Sequence, residues 1–176
     1  MAERRVATQR HIVLLGLPGA GKSTVGPLVA RALGRVFVDL DQEIERREGR
    51  RVAMIFAAGG ESAFRVLERE VTAELLAPVR PPIVLAPGGG WVEDPANRAL
   101  IGSVATGVYL RVSPAIAVER MGAATEARPL LAGGDAVRKL SEVLVRREAM
   151  YVQSQYTVSV DLMTPGEVAT SIVALA

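Results

Sequence analysis

Short apolar runs alternate along this chain with stretches whose apolar residues recur every three to four positions. The runs predict strands at 11–15, 36–39, 82–86, 104–110 and 157–160. The periodic stretches predict helices at 22–33, 41–48, 60–77, 95–101, 114–121, 135–153 and 165–175. Val25, Leu28, Val29, Ala32 and Leu33 form the apolar stripe of the first helix, and Phe64, Leu67, Val71 and Leu75 that of the third. Gly34 fits a helix C-cap and Pro165 the first turn of the last helix. Strands alternating with helices define an α/β class, a parallel sheet with helices on both faces in three α/β/α layers. The 176 residues suit one domain, 1–176, without internal repeats. The least regular stretch, 122–134, is rich in Gly and Ala and is the candidate for a mobile lid.

Composition narrows the function classes. Hydrophobic residues make up 49% and charged residues 23%, ordinary for a globular protein. The net charge is only +2, with one His and no Cys, so the pI of about 9.4 reflects scarce titration near neutrality rather than a basic surface. With three Phe, three Tyr and one Trp there is little for a base-stacking platform, and nucleic acid is not an expected partner. Without Cys there is no disulfide, thiolate metal site or cysteine nucleophile. No apolar run approaches the ~18 residues of a membrane span, and no signal-peptide core opens the chain. A cytoplasmic protein without membrane contact is expected, acting as a monomer.

The chemistry concentrates after the strands. Ile12 to Leu15 leads into Gly16-Leu17-Pro18-Gly19-Ala20-Gly21-Lys22-Ser23-Thr24, which matches G-x-x-x-x-G-K-[ST] and opens a helix. In this phosphate-binding P-loop, Gly19, Ala20, Gly21 and Thr24 present backbone to the anion, and the helix N-terminus adds its positive end. Lys22 supplies a cation for the β- and γ-phosphates, and Ser23 a hydroxyl for Mg²⁺. After the second strand come Asp39 and Asp41, and after the third Gly88-Gly89-Gly90. Ligands in open α/β sheets sit at these carboxyl ends, so the three segments converge on one edge.

Asp39 and Asp41 suit two roles, one carboxylate holding Mg²⁺ through water and the other accepting a hydroxyl proton. Asp41 equally suits a helix N-cap before Gln42-Glu43-Ile44. The triple glycine either brings a ligand onto bare backbone or makes a plain turn. Arg65 either pairs on the surface with Glu61 and Glu68 or is fixed by them to face a small anion. Arg147 falls within the apolar stripe of Leu140, Leu144 and Tyr151, while Arg146 points away. Its guanidinium must meet a buried carboxylate, reach out at the stripe's edge, or line a cavity that takes an anion. Arg128, before Pro129-Leu130-Leu131 in the lid stretch, is either an exposed loop residue or a contact for the γ-phosphate. His11 reads as structural, and Trp91 either packs or closes over a ligand.

Taken in order, these segments resemble the shikimate kinase family. The resemblance runs from about His11 to the last helix and includes Ile55-Phe56, Gly60-Glu61, Phe64-Arg65 with Glu68, Arg128-Pro129-Leu130-Leu131, and Arg147 four before Tyr151. It implies a P-loop kinase fold with a five-stranded parallel sheet, and transfer of the ATP γ-phosphoryl to the 3-hydroxyl of shikimate. It implies that Asp41 holds the shikimate hydroxyls and that Asp39 supports Mg²⁺ through water. Arg65 and Arg147 clamp the shikimate carboxylate, with Glu68 steadying an arginine, and Gly88, Gly89 and Gly90 present backbone. Lys22 and Arg128 act on the transferred phosphoryl, Arg120 lies beside the adenine, and the loop before Pro165 completes that pocket.

Four features depart from the family pattern. Pro27 is expected to kink the P-loop helix, Pro87 to stiffen the approach to the glycines, Trp91 is bulkier than the small residue expected there, and 161–165 is short. Two other readings compete: a gluconate-type sugar-acid kinase, and a ligand-binding module without turnover.

Overall fold

The computed structural model describes residues 10–125, 131 and 134–176. Five parallel strands, β1 (His11–Leu15), β2 (Val36–Asp39), β3 (Ile83–Ala86), β4 (Ala105–Arg111) and β5 (Tyr156–Ser159), form one sheet in the order β2-β3-β1-β4-β5. The central β1 is buried at all five positions because strands pair on both of its sides and helices cover both of its faces. Its register sets Ile12 against Val84 and Thr106. The edge strands β2 and β5 show exposed residues such as Val36 and Tyr156, and the interior β4 is exposed only at its last residue, Arg111.

The helices are α1 (Lys22–Leu33), α2 (Leu40–Glu48), α3 (Val52–Leu75), α4 (Pro95–Arg98), α5 (Pro114–Met121), α6 (Ala136–Tyr151) and α7 (Pro165–Leu175). α1 packs on α7 and β3, α2 on α3, and α5 on α6. Gly26 lets α1 lie flat on the sheet edge, since a Cβ there would overlap the Phe37 ring. His11 is buried, and its Nδ1 accepts the Ile83 amide at 3.2 Å, which ties the start of β1 to that of β3. The expected structural role of His11 holds.

Two expectations are corrected. α3 starts at Val52, well before residue 60, and breaks at Gly60 (φ 72°, ψ −175°) into two helical pieces. Glu45 at the end of α2 accepts the Val52 amide at 2.9 Å, a start signal supplied by another element. α4 ends at Arg98 rather than 101. α1 runs without a break in helix from Lys22 to Leu33 through Pro27, which is exposed. In the lid stretch, Gly122–Thr125 forms a 3₁₀ helix and Leu131 is buried, while Arg128 lies outside the described residues. Among the described residues no helix is long and apolar enough to cross a membrane.

Between β1 and the phosphate loop, Gly16 (φ 142°) passes so close to β4 that a Cβ would lie 2.6 Å from the Leu110 carbonyl oxygen. Gly16→Ala is therefore expected to cost about 2 kcal/mol, seen as a fall in Tm of about 4–8 °C in thermal denaturation.

Candidate active site

The P-loop runs from the end of β1 into α1, whose N-cap Gly21 is left-handed (φ 94°) and has no side chain to cap the helix. The first amides of α1 therefore remain available to an anion. Lys22 Nζ donates to the carbonyls of Gly16 at 2.8 Å and Leu17 at 3.0 Å, folding its cation back over the loop. Ser23 Oγ donates to Asp39 Oδ2 at 2.9 Å, so the hydroxyl of α1 and the carboxylate at the end of β2 meet beside the loop.

Asp39, not Asp41, is the N-cap of α2: its Oδ1 accepts the Gln42 amide at 3.2 Å. The helix starts one residue earlier than its sequence suggests, which frees Asp41 from capping and turns it inward. Asp41 Oδ1 is buried without a hydrogen-bond partner. Burial, reinforced by the Asp39 charge, raises the Asp41 pKa, and the Lys22 and Arg65 cations oppose the rise. Both aspartates line a cleft of about 620 Å³ together with Pro18, Gly19, Ala20, Gly21, Lys22, Ser23 and Thr24 on one side and Gly88 and Gly89 on the other.

The glycine run explains its own composition. A Cβ on Gly88 would press on Asp41 Oδ1 at 3.4 Å, and one on Gly89 would lie 3.2 Å from Arg147 Nη1. A Cβ on Gly90 would overlap the Arg65 guanidinium. Each glycine thus underlies one charged side chain, from α2, α6 and α3 respectively, within a turn that the Trp91 amide closes on the Gly88 carbonyl at 3.1 Å. Arg65 pairs with Glu61 (Nη2–Oε1 3.0 Å) and Glu68 (Nη1–Oε2 2.7 Å), and those pairs hold it over Gly90. The expected pairing of Arg65 with Glu61 and Glu68 is present. Arg147 is buried in the α6 stripe, and of its three options it takes a carboxylate, with Nε donating to Glu93 Oε1 at 2.7 Å. Arg146 is exposed, as its position on the helix predicts. Tyr151, one turn on from Arg147, donates its hydroxyl to the Gly89 carbonyl at 2.8 Å and stacks on Tyr109.

Trp91 packs: it is fully buried, and its Nε1 donates to Thr72 Oγ1 of α3 at 3.0 Å. It does not close over the cleft. At the opposite end of the cleft, Arg120 Nη2 donates to the carbonyls of Val160 at 2.6 Å and Asp161 at 3.3 Å. Arg120, Met163 and Pro165 line that end. Sequence reasoning missed Glu93 and Thr72, whose partners lie far off in the chain with no fixed spacing to reveal them.

A phosphate loop opening α1, with a partly desolvated carboxylate across the same cleft, is the layout of a P-loop phosphotransferase. The family model for shikimate kinase matches residues 18–176. This chain belongs to the shikimate kinase family of ATP-dependent phosphotransferases. A shikimate kinase of Thermobifida fusca is 47% identical over 158 residues, 89% of each chain. A bifunctional shikimate kinase/3-dehydroquinate synthase of Thermotoga maritima is 42% identical over 143 residues, and the match spans 81% of this chain but 28% of that protein. The structure of a shikimate kinase from Acinetobacter baumannii in complex with shikimate superposes with a TM-score of 0.88 at 36% identity, covering 96% of this chain and 93% of that one. A gluconokinase from Sinorhizobium meliloti, at 20% identity and a TM-score of 0.61, shares the fold alone.

Burial pushes the Glu68 carboxyl up to about 7 against the pull of Arg65, with Asp41 and Asp94 adding to the rise. In the unfolded chain the group titrates near 4.5. The folded state therefore holds more protons between these values, so Glu68 weakens stability as pH rises from about 4.5 and does so fully above about 7. Glu68→Gln is expected to raise Tm relative to the unaltered protein at pH 8 and to change it least near pH 4.5. A Tm lowered at pH 8 would show that pairing with Arg65 outweighs the cost of burial.

Proposed function

We propose that this cleft transfers the γ-phosphoryl group of ATP to the 3-hydroxyl of shikimate, giving shikimate 3-phosphate and ADP. The observation that carries this reading is the placing of Asp41, Arg147 and Arg65 over three successive glycines, the first two of which line one cleft with Asp41 and Lys22. Two guanidiniums beside bare backbone suit a carboxylate, and one acidic oxygen without a partner suits a hydroxyl. A small hydroxy acid offers both groups, and a nucleobase acceptor offers neither.

In this reading the P-loop amides and Lys22 hold the phosphates. Lys22 leaves the carbonyls of Gly16 and Leu17 and follows the charge that develops on the transferred group. Arg147 Nη1 and the Arg65 guanidinium take the substrate carboxylate, which turns the 3-hydroxyl toward Asp41 Oδ1. Asp41 accepts the proton of that hydroxyl as its oxygen bonds to phosphorus and the bond to the ADP oxygen breaks. Its raised pKa makes it a stronger base than an exposed aspartate. Arg120, Met163 and Pro165 are placed to border the adenine. Arg128 is assigned to the phosphoryl group on the family resemblance. Positioning and charge neutralisation supply most of what phosphoryl transfer needs.

The residues beside Lys22 suit Mg²⁺. Ser23 and Asp39 form a hydroxyl–carboxylate pair of hard oxygen donors, and among the described residues no group of three or more His, Cys, Asp or Glu could cage a metal. That scarcity fits an ion that keeps most of its waters and takes its other ligands from phosphate. Ser23 would hold it directly and Asp39 through water. When bound, it would neutralise charge on the β- and γ-phosphates.

ADP release from Mg-ATP is expected with shikimate and not with gluconate or water. Release with gluconate alone would overturn the acceptor assignment, and no release at all would overturn turnover itself. Lys22→Ala and Asp41→Asn are each expected to lower kcat by about 100-fold or more with the fold intact by circular dichroism. Arg147→Ala is expected to raise the shikimate KM by about 10-fold or more, the loss of a charged hydrogen bond, with the ATP KM nearly unchanged. An unchanged shikimate KM would refute the clamp.

A further inference from the structure

The ion pair between Glu93 and Arg147 has no place in the reaction as described, yet it joins the segment that follows the glycine run to the arginine that lies against Gly89. Glu93 ends the 3₁₀ turn Trp91–Glu93, directly after Gly90. Its backbone is fixed from several sides. Its amide donates to the Gly90 carbonyl at 3.0 Å, and its carbonyl accepts Arg98 Nη1 at 3.0 Å. Trp91 anchors the start of the turn to Thr72, and Asp94, the next residue, pairs with Arg69 of α3 at 2.8 Å while capping α4. A carboxylate on so constrained a backbone is a fixed point.

Glu93 uses that point on one atom of Arg147. Its Oε1 accepts from Nε at 2.7 Å, while Nη1 lies against Gly89. A guanidinium carries five N–H donors in one plane, and holding Nε from behind fixes both the direction and the roll of that plane. Nη1 then faces the glycine run at Gly89. The pair also offsets the cost of a cation whose side chain is only 6% exposed.

We propose that Glu93 is a positioning residue for substrate recognition: by anchoring Arg147 Nε it aims the terminal nitrogens at the substrate carboxylate above Gly89. This rests on the assignment of Arg147 to that carboxylate. Glu93 touches neither substrate nor phosphate in this scheme. It adds to binding by sparing the arginine a search among rotamers, which the carboxylate would otherwise have to oppose.

The test uses steady-state kinetics on the full chain with Glu93→Ala, Glu93→Gln, Arg147→Ala and the Glu93→Ala/Arg147→Ala double variant. Glu93→Ala is expected to raise the shikimate KM about 10-fold, with kcat within about 3-fold and the ATP KM unchanged. Glu93→Gln keeps an oxygen acceptor for Nε and is expected to restore the KM to within about 3-fold of the original. In the Arg147→Ala background, removing Glu93 is expected to have no further effect on KM. The methyl ester of shikimate, which lacks the charge, is expected to bind with an affinity that Glu93→Ala leaves unchanged. An unaltered shikimate KM in Glu93→Ala, where Arg147→Ala raises it, would overturn the positioning role alone. So would equal losses toward ATP and shikimate, a Glu93→Gln no better than Glu93→Ala, or additive effects in the double variant. An unaltered KM in Arg147→Ala itself would overturn the carboxylate assignment, and the positioning role with it.

Discussion

Everything at the acceptor end of the cleft depends on three consecutive residues having no side chains. Charged groups from α2, α3 and α6 meet there, and each lies where a Cβ would press on it or displace it. The run follows directly on a strand paired on both sides, which fixes where its backbone begins. Three helices can therefore bring one carboxylate and two guanidiniums together without any of the three sitting on a loop of its own. Removing bulk at one place is what permits convergence from three.

Convergence of charge in a cleft carries an electrostatic cost, and the structure answers it locally. Each arginine comes with carboxylates: Arg65 with Glu61 and Glu68, Arg147 with Glu93. Pairing offsets the cost of holding the guanidiniums where water is scarce, and it leaves part of each against the glycine run. The acidic groups bear the strain instead. Both Asp41 and Glu68 are raised by burial, with Asp39 adding to the rise in Asp41, and Asp41 and Asp94 to that in Glu68. The free protein thus holds an arrangement of charge that an anionic ligand on the arginines and a hydroxyl on Asp41 would complete.

Much of this was legible beforehand, and the remainder was not for definite reasons. The P-loop reads directly because its chemistry is local: glycine, lysine and serine at fixed spacing between a strand and a helix. The buried strands read as apolar runs, and Arg147 announced itself by occupying an apolar stripe. The first half of α3 was not legible, because Gly59 and Gly60 suggest a loop and its start is marked by Glu45, a residue of α2. The cap considered for Asp41 falls to Asp39 instead, because a small shift of the helix start decides which of the two caps the helix and which turns inward. Glu93 and Thr72 were invisible because their partners, Arg147 and Trp91, lie 54 and 19 positions away. Periodicity records which face of an element is buried and is silent about what waits there.

The strand order has a consequence for distance. The phosphate loop leaves the end of β1 and the glycine run leaves the end of β3, and these strands are hydrogen-bonded neighbours. Adjacent strands are held about 4.8 Å apart by the backbone ladder, whatever side chains they carry. The sheet thus acts as a ruler between the donor and acceptor halves of the cleft, its graduation set by peptide geometry. Substitutions in the surrounding helices can alter what each half prefers to hold while the gap between the halves stays the same.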